Sequence, residues 1–130
     1  LRFGIGRVRL EVFPYDMMFR RLLTHILLDE NLSDSDEVAE KQILSALGRG
    51  SCFTSNVLYG DACGFRAGME DDCILLHLPE AGEVTISKSG GILWQDHLEA
   101  GSHRISSEVT GRISISVFRE GNTWIYCGIP

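Results

Sequence analysis

The sequence predicts a mainly β protein, an antiparallel β-sandwich of about seven strands preceded by a strand and two helices. After Gly50, short apolar runs alternate with glycine-containing turns, a pattern typical of antiparallel sheets. Before Gly50, one alternating run precedes two stretches in which apolar residues recur at helical spacing. We therefore divide the chain into residues 1–50, a strand and two-helix segment, and residues 51–130, the sandwich.

The N-terminal segment begins with a strand and continues into the two helices. Apolar and charged residues alternate over Arg7–Val12, as on a half-buried strand, and Pro14 ends this run. Apolar residues at helical spacing over Met17–Leu28 predict the first helix. A second apolar stripe over Ala39–Leu47 predicts the second helix, which the glycines of Gly48-Arg49-Gly50 end.

Seven apolar runs follow, separated by turn sequences such as Ser89-Gly90-Gly91. The alternation is most regular over Arg112–Phe118. The predicted strands are Ser51–Thr54, Cys73–Leu78, Glu83–Ser87, Ile92–Trp94, Arg104–Ser107, Arg112–Phe118 and Thr123–Cys127.

Charge and composition exclude several classes of partner. The 18 acidic residues outnumber the 12 basic residues and give a net charge of -6, which argues against a nucleic-acid partner. No apolar run approaches the roughly 20 residues that cross a bilayer, so we expect no membrane partner. The four cysteines form no Cys-x-x-Cys pair, which favours free thiols in a reducing, cytoplasmic compartment over a zinc site.

Several short pieces, taken in their order and spacing, resemble one protein family. They are Phe13-Pro14-Tyr15, Phe19, Thr24-His25, Ala46-Leu47-Gly48-Arg49-Gly50, Ser55-Asn56, Gly60-Asp61-Ala62, Gly64-Phe65, Trp124-Ile125 and Ile129-Pro130. Together they resemble the C-terminal part of the PHP-domain metal-dependent phosphoesterases. The resemblance implies that a parent chain carries a catalytic β/α barrel with divalent metals, and that this chain is its C-terminal accessory part.

This chain contains none of the metal-binding motifs of that family. Its four histidines, His25, His77, His97 and His103, show neither a His-x-His nor an Asp-x-His spacing. No cysteine or serine lies in a motif typical of a nucleophile. We therefore expect no catalytic residue, no metal and no cofactor in this chain, and place the divalent metals in the parent barrel.

Four residues are candidates for contact with the parent's substrate. His25 follows the barrel in the resemblance, and Arg49 offers a guanidinium to an anion such as a substrate phosphate. For Arg49 the alternative is a role in ending the helix. Asn56 and Asp61 either face the substrate from a loop over the barrel mouth or bond their own backbone in turns.

The function predicted from the sequence is that of a non-catalytic accessory domain of a PHP-type hydrolase, which shapes substrate access or assembly. Its main partner is then the parent's own catalytic domain. The alternative is an independent β-sandwich module that binds carbohydrate or protein. Because apolar residues over Met17–Leu28 exceed one helical stripe, we also expect a homodimer through that helix.

Overall fold

The structure, a computed structural model, describes residues 2–5, 8–11, 21–106 and 111–129, with only the backbone described for 2–5 and 8–11. The described part is mostly β, with antiparallel sheets of six and three strands and a two-stranded hairpin. The strands are β1 Arg2–Ile5, β2 Val8–Glu11, β3 Leu22–Ile26, β4 Cys52–Asn56, β5 Arg66–Glu70, β6 Cys73–Leu78, β7 Gly82–Lys88, β8 Gly91–Leu98, β9 Gly101–Ser106, β10 Ile113–Arg119 and β11 Asn122–Ile129. Helix α1 spans Asp36–Gly48, and a single 3-10 turn spans Val57–Tyr59.

The larger sheet has the strand order β3-β4-β11-β10-β7-β8, and all of its neighbours are antiparallel. Its central strand β10 shows why the sequence forms it. Ile113, Ile115 and Val117 are buried on one face, while the residues between them are only partly buried on the other. The hydroxyl groups of Ser114 and Ser116 therefore lie on the face away from the core.

The smaller sheet has the order β5-β6-β9, with β6 in the centre. The same alternation buries Ile74, Leu76 and Leu78 and leaves the residues between them less buried. The buried side chains of both sheets belong to one hydrophobic cluster, so the two sheets share a core. Its members are Phe53, Ala62, Phe65, Ile74, Leu76, Leu78, Val84, Ile86, Ile105, Ile113, Ile115, Val117, Trp124, Ile125, Cys127 and Ile129.

The prediction of a helix over Met17–Leu28 is wrong from Leu22 on, although Arg21 is helical. Leu22–Ile26 forms strand β3, whose residues pair one by one with β4, from Leu22 with Asn56 to Ile26 with Cys52. A short, uncharged apolar run is compatible with either structure, and here pairing with a neighbouring strand decides. Residues 12–20 lie outside the described residues, and the homodimer through this segment stays a prediction.

The second predicted helix is confirmed as α1, and a glycine follows its C-terminal end. Gly50 has a φ of 71°, in the left-handed region. Its N–H donates to the carbonyl of Leu47 at 3.0 Å, and the Ser51 N–H donates to that of Ala46 at 2.9 Å. These bonds satisfy two of the last carbonyls of the helix, which is the role of a glycine C-cap.

The mainly β prediction after Gly50 is confirmed, since each of the seven apolar runs overlaps a strand. The predicted N-terminal strand corresponds to β2, whereas β1 and β5 were not predicted. The division of the chain at residue 50 stays a prediction, although β3 and β4 pair across it. Among the described residues, no helix is long and apolar enough to cross a membrane.

Candidate functional site

The structure brings three of the four predicted residues to one edge of the larger sheet and places Arg49 elsewhere. His25 on the edge strand β3 lies opposite Phe53 on β4. Their rings stack with centroids 4.3 Å apart and an interplanar angle of 7°. On the same face, His25 Nε2 and Ser55 Oγ share a hydrogen bond of 2.7 Å. Burial is the main cause that lowers the pKa of His25, and the nearby charge of Asp61 opposes it.

Asn56 and Asp61 bond their own backbone, as in the turn alternative. Asn56 Oδ1 accepts the N–H of Leu58 at 3.1 Å, and Asp61 Oδ1 accepts the N–H of Cys63 at 2.9 Å. Hydrogen bonds from the backbone N–H and from the side chain of Cys63 lower the pKa of Asp61. Phe65 is fully buried and packs edge to face on Phe53 with centroids 4.9 Å apart. The loop is thus anchored in the core; contact of its polar residues with a parent's substrate stays a prediction.

The neighbouring Ser55, His25 and Asp61 have the side chains of a hydrolase triad but not its accessibility. Ser55 is only 3% exposed, so its hydroxyl is not open to a substrate. The exposed thiol of Cys63 is no better as a nucleophile, because its hydrogen bond with Asp61 raises its pKa and keeps it protonated. The stacked rings and the turn bonds of this edge are contacts that stabilise the fold.

Arg49 lies in a groove of about 580 Å³ that we call the arginine groove. The groove is formed by the C-terminal end of α1, the β7–β8 hairpin, the start of β10 and the end of β11. Its lining residues are Leu47, Gly48, Arg49, Gly50, Ser87, Ser89, Gly90, Arg112, Ile113, Ser114, Tyr126, Gly128 and Ile129.

Among the described residues that line this groove, the only charged side chains are those of Arg49 and Arg112. No aspartate or glutamate of residues 21–106 and 111–129 lines it, although acidic residues outnumber basic ones in the chain. Arg49 has one ion pair, at 3.5 Å with the exposed carboxylate of Asp29. Arg112 is exposed and makes no ion pair with any carboxylate in the part of the chain that the structure describes. The described lining of the groove is therefore positive, on a protein whose net charge is -6.

Hydroxyl groups line the arginine groove because of the strand register and the hairpin. Ser114 on β10 lies opposite Ser87 on β7, both on the sheet face away from the core. Ser89 and Gly90 form a two-residue turn between β7 and β8, with φ angles of 50° and 80°. This conformation matches the twist of the strands and carries Ser89 to the rim. Hydroxyls beside guanidinium groups can donate hydrogen bonds to an anion.

The sequence analysis did not identify the residues that lie beside Arg49 in the arginine groove. Arg112 is far from Arg49 along the chain, and only the strand order brings them to one groove. The serines between isoleucines in β10 do predict a polar sheet face, but the sequence does not show what lies over it.

A second groove, of about 680 Å³, lies at the opposite end of β7 and β10, and we call it the acidic groove. Arg119 Nη1 donates to the carbonyl of Tyr59 at 2.6 Å and to Glu80 Oε2 at 3.0 Å. Its guanidinium carbon lies 5.2 Å from the ring centroid of Trp124. The acidic groove is lined by Val57, Leu58, Tyr59, Gly60, Asp61, Glu80, Ala81, Gly82, Glu83, His97, Phe118, Arg119 and Glu120.

Among the side chains that the structure describes, no three His, Cys, Asp or Glu are grouped so as to hold a metal ion. Cys127 belongs to the hydrophobic core, and burial raises the pKa of its thiol to about 11. Comparisons with protein-family models, with curated proteins and with solved structures find no match. We therefore take the arginine groove as the candidate site, because arginine and serine side chains line it.

Proposed function

We propose that this chain is a non-catalytic binding module that holds the phosphate group of a small ligand in the arginine groove. One observation carries the proposal: two arginines and three serine hydroxyls line a groove that no carboxylate of the described residues lines. Arginine binds phosphate oxygens through charge-assisted hydrogen bonds, and such bonds are stronger than those between neutral groups. An incoming phosphate competes with the exposed Asp29 for Arg49 and meets no such competitor among the described carboxylates at Arg112.

The size and charge of the protein favour a small ligand over a nucleic acid. A groove of about 580 Å³ accommodates a compact molecule. A phosphate polymer would extend beyond the groove over a protein of net charge -6. Tyr126, which is 50% exposed, adds an aromatic surface beside the serines. Aromatic and hydroxyl groups together suit a sugar, so a phosphorylated sugar is the ligand class that this groove favours.

The proposed ligand agrees with the accessory role inferred from the resemblance to PHP-domain phosphoesterases. In that role the arginine groove would bind a substrate phosphate for the parent's catalytic domain. We further propose that the two sheets are the layers of a β-sandwich, since their buried side chains form one cluster. The second candidate, an independent module for uncharged carbohydrate, is favoured by Tyr126 and the serines alone.

Amide chemical shifts measured during titration with inorganic phosphate test the proposal. We expect saturable shifts in Ser87–Gly90 and Arg112–Ser114, and their loss in Arg112→Gln. Arg104→Gln, an exposed arginine on the other sheet, is the matched control and should bind as the wild type does. Shifts that persist in Arg112→Gln would contradict the proposal. An uncharged sugar that binds equally well to Arg112→Gln and wild type would instead support the second candidate.

A further inference from the structure

The exposed side of the three-stranded sheet carries Arg66, His77 and Arg104, with Glu70 on the same face at the far end of β5. His77 lies opposite Arg66 and Ser102, and Leu75 lies opposite Gly68 and Arg104. Because residues opposite each other share a sheet face, these six form one patch, which we call the basic face. It lines a concavity of about 540 Å³ to which the described residues contribute no aspartate or glutamate.

The two arginines of the basic face are not neutralised within the described chain. Arg66 donates to the carbonyl of its neighbour Phe65 at 2.7 Å. Neither Arg66 nor Arg104 makes an ion pair with a carboxylate among residues 21–106 and 111–129. A side chain at Gly68 would meet no atom within 4 Å, so core packing does not require this glycine. Leu75, which lies opposite this glycine, is half-buried.

The acidic segment before α1 has the complementary surface. Leu32 is 53% exposed, and its two neighbours are held by one side chain. Gln42 Nε2 donates to the carbonyl of Asn31 at 3.1 Å, and Gln42 Oε1 accepts the N–H of Ser33 at 2.8 Å. Both bonds hold the backbone on either side of Leu32, which therefore lies at an exposed tip. We call Asp29–Asp36 the acidic tip, since Asp29, Glu30, Asp34 and Asp36 surround the leucine.

We propose that the acidic tip of one copy docks on the basic face of a second copy, with Leu32 against Leu75. The carboxylates of the tip then lie beside Arg66 and Arg104. Charge complementarity carries the choice of a second copy, because an apolar centre with acidic flanks meets an apolar centre with basic flanks. Reciprocal docking of two copies closes a two-fold dimer. Each contact is small, so we expect the association to be weak and dependent on salt.

A labelled peptide of residues 28–37, titrated with the whole chain and followed by fluorescence anisotropy, tests the docking. We expect saturable binding that weakens about tenfold or more in the Arg66→Glu, Arg104→Glu double variant and in a Leu32→Ser peptide. Raising the salt concentration should weaken it as well. A peptide with lysines in place of its acids should bind the double variant better than the wild type.

The matched control is Arg112→Glu, which makes the same charge change in the arginine groove. It should bind the peptide as the wild type does. Loss of peptide binding in Arg112→Glu but not in the double variant would overturn the docking and would leave the proposed phosphate site standing. Absence of peptide binding at millimolar concentration would also overturn it. Dispersed amide spectra of each variant establish that it is folded.

Discussion

The two grooves lie at opposite ends of the same two strands, β7 and β10, and they differ in how their charges are satisfied. In the acidic groove, Arg119 contacts the carbonyl of Tyr59, the carboxylate of Glu80 and the ring of Trp124. In the arginine groove, Arg112 has no partner among the described carboxylates. Charges that are paired within the chain hold the fold together, whereas those left unpaired remain available to a ligand.

The largest expected effect comes from two aromatic residues on β11, one beside each groove. Trp124 is 1% exposed and its Nε1 donates to the carbonyl of Gly60 at 3.0 Å, so Trp124→Ala should cost about 3–5 kcal/mol of unfolding free energy. Tyr126 is half-exposed, and Tyr126→Ala should cost less than about 1 kcal/mol. Urea denaturation of the two variants measures the difference. Equal losses would show that the acidic groove is not the structural one.

An intermediate effect is expected from two glycines with positive φ. Gly60 has a φ of 147°, and an added Cβ would overlap the side chains of Glu80 and Arg119. Gly60→Ala should cost about 2–3 kcal/mol, because backbone strain adds to the displacement of Arg119 from its partners.

Gly121 has a φ of 76° and open space around its Cβ position, so Gly121→Ala carries only the strain, about 1–2 kcal/mol. Thermal unfolding of both variants separates the two terms. A Gly121 variant as unstable as the Gly60 variant would mean that Arg119 contributes little to the acidic groove.

The smallest effect is a pH dependence at the acidic groove. The hydrogen bond to Glu83 and the neighbouring Glu99 raise the pKa of His97 above its ordinary value of 6.5. Its stabilising contribution is therefore complete below about pH 6.5 and is lost as the pH rises through the raised folded-state pKa. Denaturation of wild type and His97→Gln at a series of pH values should show a difference that shrinks as the pH rises. A difference that grows with pH would contradict a stabilising role of the protonated His97.

The sequence predicts most strands because alternation determines them locally. Ile113, Ile115 and Val117 need no distant information to indicate a strand with one buried face. In β5, by contrast, the residues between Arg66, Gly68 and Glu70 are only partly buried or exposed. The strand therefore has no clearly apolar face to indicate it. Leu22–Ile26 was predicted as helix because its spacing is ambiguous over so short a run. Pairing with β4, which decides it, involves residues far along the chain.

The candidate site was predicted only in part, for a similar reason. Arg49 at the end of a helix was identified as a residue that offers a guanidinium to an anion. Arg112 was not, because nothing in its own neighbourhood distinguishes it from a surface arginine. What unites the two is the strand order, which places the start of β10 and the end of β11 beside the end of α1.

That strand order also has a consequence for how the chain folds as it is made. In the larger sheet, β4 and β7 are joined through β11 and β10, the last two strands of the sequence. During synthesis, we therefore expect β3–β4 and β7–β8 to form two separate pairs, in which β4 and β7 still lack the strands they pair with in the complete sheet. The arrival of the β10–β11 hairpin between them unites the sheet in one late step. A ribosome that pauses before Ile113 would hold a chain in which β4 and β7 have open edges in addition to β3 and β8, and open strand edges favour aggregation.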